Sequence, residues 1–208
     1  MAAPDADGNG VAAPEPAPVV SGAVLIGGGS RRMGRPKQGL AIAGRTLAEV
    51  AVAALAGQVE RVVLVGSGPV PDALRGLERV ADPAGIAGPM AGVLAALRRA
   101  PDAAWIVAAC DMPRVSPPAV RWLLGCRRRG IWAVLPRPGG GVPEPLLAVY
   151  EPPARPVIER LAAEGKWGLR RLAGLDGVSS PSPPPDLLPA WRDVNTPEQF
   201  RASLDLFV

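Results

Sequence analysis

The sequence predicts an α/β fold, a mainly parallel sheet with helices on both of its faces. Short β-branched and apolar runs alternate with alanine- and leucine-rich stretches of helical spacing, a pattern that brings successive strands back parallel to one another. The residues capable of chemistry then fall at the predicted strand exits, where such sheets gather ligands. A chain of 208 residues suits one such domain with a sizeable core and is short for two.

The elements follow in order. Residues 1–20 are rich in Ala, Pro, Gly and acidic side chains, with neither a basic start nor an apolar stretch; they read as a disordered tail ahead of a single domain over 21–208. Val24-Leu25-Ile26 is a strand running into glycines. Thr46 with Glu49 forms a capping box for a helix over Leu47 to Ala56, stopped at Gly57. Arg61 to Val65 is a second strand and Leu77 to Val80 a weaker third, with Asp82 at its exit. Gly88 to Ala100 is helical, with Met90, Val93, Leu94 and Leu97 on one face. Trp105 to Ala109 is a buried-type strand that runs into Cys110-Asp111-Met112-Pro113.

Ser116 and Pro117 occupy the favoured cap and first-turn positions of a further helix, with Val120, Leu123 and Leu124 inward. Arg127 to Arg129 read as its solvated C-terminal end, capped by Gly130. Ile131 to Leu135 and Leu146 to Tyr150 are strands, Pro156 to Ala163 is a helix, and Ser180 to Pro189 is a proline-rich loop. Thr196-Pro197-Glu198 opens a terminal helix through Leu206.

Composition narrows the chemistry. The chain contains no histidine, which excludes an imidazole base and makes a transition-metal site a poor fit, leaving carboxylates, cations and Mg²⁺. Cys110 and Cys126 lack metal-ligand spacing and read as buried thiols. The net charge of +4 invites a nucleic-acid reading, but aromatic side chains make up only 4% and the arginines are spread along the chain, so no nucleic-acid partner is expected. No segment offers eighteen uninterrupted apolar residues, so neither is a membrane; the expected compartment is the cytoplasm.

The glycine loop after the first strand carries the strongest signal. In Gly27-Gly28-Gly29-Ser30-Arg31-Arg32-Met33-Gly34-Arg35-Pro36-Lys37, backbone N–H groups can approach an anion with no Cβ in the way, while four cations supply neutralising charge. It is not a Walker A loop, because Gly34 is followed by Arg35 and Pro36. It is not a dinucleotide fingerprint either, because Arg32 stands where the third glycine belongs. A triphosphate is the ligand it suits. Asp111 and the pair Asp193 and Asn195 then offer oxygens for Mg²⁺, set against a simpler reading in which each caps a local turn or helix.

At this point the motifs resemble those of molybdenum cofactor guanylyltransferases. The Leu25-x-Gly27-Gly28 start, Ser30-x-Arg32-Met33-Gly34, Pro36-Lys37, Gly88-Pro89-Met90-Ala91-Gly92, Cys110-Asp111-Met112-Pro113 and Asp193-Val194-Asn195-Thr196-Pro197-Glu198 occur in that family's order, across residues 22 to about 206. The resemblance implies a three-layer Rossmann-like nucleotidyltransferase fold. It also implies transfer of GMP from GTP to the phosphate of molybdopterin, bare or molybdenum-loaded, with pyrophosphate leaving. By that resemblance Leu25, Ile26, Gly27 and Gly28 line the guanine and phosphate site, Asp82 helps bind the nucleotide, and Lys37 and Arg32 act on the triphosphate. Asp111 holds Mg²⁺ with Asp193 or Asn195. Small-molecule substrates and transient contact with molybdenum cofactor enzymes or their chaperones are the implied partners.

Two positions keep the nucleotide open. Pro36-Lys37 is commoner in the related cytidylyltransferases that use CTP, whereas Gly27 at the third position of the first motif favours guanine. Val65-Gly66-Ser67 replaces a customary Asn, with Ser67 as the candidate substitute. Transfer to a sugar or polyol phosphate is the neighbouring enzyme reading, and a nucleotide- or RNA-binding protein without turnover is the reading from another class.

Overall fold

The computed structural model describes residues 18–27 and 37–204. Most of the expected tail and the loop Gly28 to Pro36, with Arg32 in it, lie outside the described residues.

A seven-stranded sheet forms the centre. Strand β1 (Val20–Leu25) is followed by a two-stranded ribbon, β2 (Ala41–Ile42) and β3 (Arg45–Thr46), and by helix α1 (Leu47–Leu55). Then come β4 (Val62–Val65), β5 (Arg79–Val80), α2 (Pro89–Arg99), β6 (Ala104–Ala109) and α3 (Pro117–Gly125). The chain finishes with β7 (Ala133–Val134), β8 (Leu147–Tyr150), α4 (Ala154–Ala163), β9 (Val178–Ser179) and α5 (Pro197–Leu204). The sheet order is β5-β4-β1-β6-β8-β7-β9. Strand β1 lies parallel to both β4 and β6, so the chain steps outward through β4 and β5 and then returns to the other side of β1. That reversal leaves a crevice at the carboxyl ends of β1 and β6, the place where such sheets bind ligands.

Three layers follow from side-chain alternation. In β6, Ile106 and Ala108 pack with α1 and α3 on one face, while Trp105 and Val107 pack with α2 and α4 on the other. All six β6 residues are buried, as expected of a strand covered on both faces. Thr46 and Glu49 cap α1 reciprocally: Glu49 N–H donates to Thr46 Oγ1 at 3.2 Å and Thr46 N–H to Glu49 Oε2 at 2.6 Å.

Within the mainly parallel sheet, strand β8 runs antiparallel to β6 and β7; a loop with one 3₁₀ turn, and no α-helical crossover, joins β7 to β8. Two local expectations need correction. Helix α3 ends at Gly125 with Cys126 as its cap, and the Ser116 side chain makes no capping bond. Arg127 is no solvated helix end: its Nε pairs with Glu151 Oε1 at 2.6 Å, and both side chains are largely buried. A short 3₁₀ turn, Leu188–Trp191, also closes the proline-rich loop and buries Trp191 edge-on against Trp122.

Candidate active site

Backbone crowding at the strand exits shapes a cleft. Ile26 N–H donates to Val65 O at 2.8 Å and Cys110 N–H to Leu25 O at 3.3 Å, which joins the ends of β4, β1 and β6. Gly66 sits at φ +114°, and a Cβ there would lie 2.1 Å from Ile26 O, so only glycine permits this approach. Arg79 secures the turn beyond β4 by donating to Gly66 O at 3.0 Å and Gly68 O at 3.1 Å. The resulting cleft has a volume of about 300 Å³ and is lined by Gly27, Lys37, Gly66, Asp82, Pro89 and Asp111, among others.

Lys37 joins three distant segments at one rim of this cleft. Its Nζ donates to Asp111 Oδ2 at 3.0 Å and to Asn195 Oδ1 at 2.6 Å. Asn195 Nδ2 in turn donates to Asp193 Oδ2 at 2.6 Å. The segment before α5 is drawn to the end of β6 by Val194 N–H donating to Asp111 O at 2.9 Å, and by burial of Val194 and Phe200 against Leu40, Ile42 and Leu47. Capping of α5 falls to others: Gln199 Oε1 accepts from Asn195 N–H at 2.7 Å and Thr196 N–H at 3.2 Å, and Gln199 N–H donates to Thr196 Oγ1 at 3.3 Å. The side chains of Asp193 and Asn195 are thereby left to the site.

Burial tunes the neighbouring groups. Asp82, at the exit of β5, has its carboxyl pKa raised by partial desolvation. The Cys110 thiol is pushed up to about 12, chiefly by burial and next by the adjacent Asp111 charge, so it stays a thiol at neutral pH. Among the described residues no group of three His, Cys, Asp or Glu side chains gathers as a metal cluster; the Asp111 carboxylate and the Asn195 amide meet Lys37, and the Asp193 carboxylate stands behind Asn195.

A second cavity, also about 300 Å³, shares Pro89, Asp111 and Leu146 with the first and extends toward Glu144, Trp167 and Arg170. Of the cations near Trp167, Arg170 lines it, while Lys166 turns to Glu164 at 2.7 Å. Glu144 Oε1 accepts from Leu146 N–H at 2.9 Å, and burial raises its pKa.

The residues singled out in the sequence thus divide clearly. Leu25, Ile26, Gly27, Lys37, Asp82 and Asp111 line the first cleft, and Asp193 and Asn195 reach it through Lys37. Gly28 and Arg32 lie outside the described residues. Ser67, the candidate substitute for an Asn, is exposed, and it is Gly66 that forms the wall. Gly92 was legible only as part of a motif; its role is steric, since a Cβ there would stand 2.8 Å from Leu25 Cδ2. Among the described residues, the arrangement sets the Lys37 cation and several oxygens at the mouth of a cleft lined also by glycines and apolar residues, which suits a charged ligand with an apolar part.

Comparison with known proteins agrees with this geometry. The profile of the MobA-like NTP transferase domain matches residues 22–178. The protein named probable molybdenum cofactor guanylyltransferase from Opitutus terrae is 41% identical over 160 residues, covering 74% of this chain and 78% of its own. Its namesake from Thermococcus gammatolerans is 34% identical over 188 residues, covering 86% and 96%. The crystal structure of molybdopterin-guanine dinucleotide biosynthesis protein A from Archaeoglobus fulgidus superposes with a TM-score of 0.74 at 26% identity, over 90% of this chain and 98% of that one. With the sheet order, the crevice and the sequence match all in accord, this chain belongs to the MobA-like NTP transferase family.

Proposed function

We propose that this protein transfers GMP from GTP to the phosphate of molybdopterin, bare or molybdenum-loaded, and releases pyrophosphate. The observation that carries the reading is Lys37 held between Asp111 and Asn195 at the mouth of the cleft, in a chain whose relatives bear the name molybdenum cofactor guanylyltransferase.

In this reading Leu25, Ile26, Gly27 and Gly28 face the guanine and phosphates, with Asp82 at the nucleotide's far side. Lys37 and Arg32 meet the triphosphate. The attacking phosphate is already ionised at neutral pH and needs no general base, in keeping with a chain that has no histidine. The barrier is the approach of one anion to another and the departure of pyrophosphate, and positive charge fixed at those oxygens lowers it. Lys37 supplies such charge, and Asp111 and Asn195 help to position it.

Asp111 Oδ2 and Asn195 Oδ1 converge on an ammonium, so they already form a cation-binding oxygen pair, with Asp193 next to it. Hard oxygen donors, too few to enclose an ion, fit Mg²⁺, which keeps positions for substrate phosphates and water. When bound there, Mg²⁺ would neutralise phosphate charge and orient the triphosphate. The second cavity, continuous with Asp111, would seat the acceptor. Among the described residues no helix is long and apolar enough to cross a membrane.

The test is pyrophosphate release by purified protein given Mg²⁺, molybdopterin and each of GTP, CTP, ATP and UTP in turn. Release with GTP alone is expected. Release with CTP alone would transfer the reading to a cytidylyltransferase, and release with none would refute nucleotidyl transfer to this acceptor.

A further inference from the structure

The second cavity is poorly suited to an anion. Among the described residues that line it, Asp111, Glu144 and Asp193 bring three carboxylates, of which Asp111 is paired with Lys37, against the guanidinium of Arg170. Leu169 and Trp167 add apolar surface, and Trp167 is 42% exposed although it is one of the largest side chains in the protein. Its indole N–H donates to Ala162 O at 3.4 Å, which fixes the ring by its edge to the end of α4. An indole held in this way is a stacking surface, and acidic lining beside it favours a neutral ring that presents N–H donors.

Glu144 is placed to read such a ring. Oε1 accepts the Leu146 N–H at 2.9 Å, whereas Oε2 forms a loose ion pair with the largely exposed Arg170, 3.7 Å from its Nη2 and beyond hydrogen-bond length, which leaves Oε2 able to accept a closer donor. Its side chain is 17% exposed, so the carboxylate is sheltered enough to discriminate and open enough to be reached. We propose that Glu144 selects the acceptor's ring, its carboxylate accepting the 2-amino and N3 protons of a 2-amino-4-oxopteridine stacked on Trp167. The inference rests on the acceptor being a pterin and adds the residue that distinguishes it. Phosphate binding is left to the Lys37 side of Asp111, where positive charge is found.

A purely local role for Glu144, stapling its own loop through Leu146 N–H, makes a different prediction, and Glu144→Gln separates the two. Glutamine keeps the carbonyl oxygen for Leu146 and turns an N–H₂ donor toward the cavity. Binding of 6-hydroxymethylpterin and of its 2-oxo analogue 6-hydroxymethyllumazine should be measured by calorimetry on the full chain. Wild type should prefer the pterin by roughly tenfold or more, the worth of one or two hydrogen bonds to a charged acceptor. Glu144→Gln should lose or invert that preference with GTP affinity unchanged and no loss of melting temperature, and Trp167→Ala should weaken both ligands alike. Equal affinity of wild type for both rings, or an unchanged preference in Glu144→Gln, would overturn the assignment. Pyrophosphate release with molybdopterin on the same preparations separates the failures. Release without ring selectivity rejects Glu144 alone, and absence of both pterin binding and release rejects the acceptor reading as well.

Discussion

Lys37 Nζ donates to Asn195 Oδ1 at 2.6 Å across 158 positions of sequence. That contact ties the end of the glycine loop to the segment before the last helix, and both to Asp111 at the end of β6. Three segments that are remote in the chain therefore share one cation, so changes at any of them are felt at the same rim of the cleft.

Replacing that cation should be costly to turnover. Lys37→Ala is expected to lower kcat about 10²- to 10³-fold, or about 2 to 4 kcal/mol of transition-state stabilisation, the range for loss of one well-placed donor. Steady-state pyrophosphate release, with a melting curve to verify folding, measures it. Unchanged kcat in a folded variant would remove Lys37 from the mechanism.

Asp111 can be tested apart from Lys37. Asp111→Asn keeps the backbone carbonyl that accepts Val194 N–H at 2.9 Å, so the join between β6 and α5 should survive. The Mg²⁺ concentration for half-maximal turnover should rise about tenfold or more, because one formal charge is lost from a small oxygen set. Should the variant unfold instead, Asp111 serves the turn after β6 and not the cation.

Much of this site was legible in the sequence because its strongest signals are local. An apolar strand followed by glycines and cations, or by Cys110-Asp111, marks a sheet edge whatever the rest of the chain does. The capping box at Thr46 was equally local, and it forms. The partners of Arg127 were not legible: its charge reads as solvated until β8 and the following turn bring Glu151 to it. The walls made by Gly66 and Gly92 were also hidden, because a missing Cβ has meaning only once its opposite atom, Ile26 O or Leu25 Cδ2, is known. Glu144 and Trp167 are remote in sequence, and only the folded cavity shows that they share one wall, with Glu144 Oε1 held by Leu146 N–H and Oε2 facing Arg170.

Gly66 should tolerate no side chain. Gly66→Ala places a methyl group 2.1 Å from a backbone oxygen at φ +114°, and neither atom can yield cheaply. A loss of about 3 kcal/mol or more is expected from strain and displacement together. Gly44→Ala, at φ +78° with nothing within 4 Å of the added carbon, should cost only about 1 to 2 kcal/mol. Urea unfolding of both variants decides it, and equal losses would mean that the crowding at Ile26 O relaxes.

Gly92→Ala should separate affinity from stability. The added carbon meets Leu25 Cδ2 at 2.8 Å, the far end of a flexible side chain, so Leu25 can turn away into the cleft that both residues line. Alanine favours the helix by about 1 kcal/mol over glycine, which offsets much of the crowding. The melting point should change little while the Kd for GTP rises several-fold, as read by calorimetry. Unaltered GTP affinity would show that this end of the cleft does not touch the nucleotide.

Glu144 should leave a mark on the pH dependence of stability. Burial raises its pKa; the Leu146 N–H and Arg170 oppose the shift, and Asp193 and Asp111 add to it. A carboxyl whose folded pKa exceeds its unfolded value binds protons more tightly in the native state. Its contribution is therefore fully present below the ordinary carboxylate pKa and is lost as pH rises through the higher folded value. Glu144→Gln does not titrate, so the difference in unfolding free energy between variant and wild type should move in the variant's favour across that acidic window and then level off. Urea unfolding at closely spaced pH values measures the difference. A flat difference would mean that the carboxyl titrates normally, and with it that the second cavity is wetter than its lining implies.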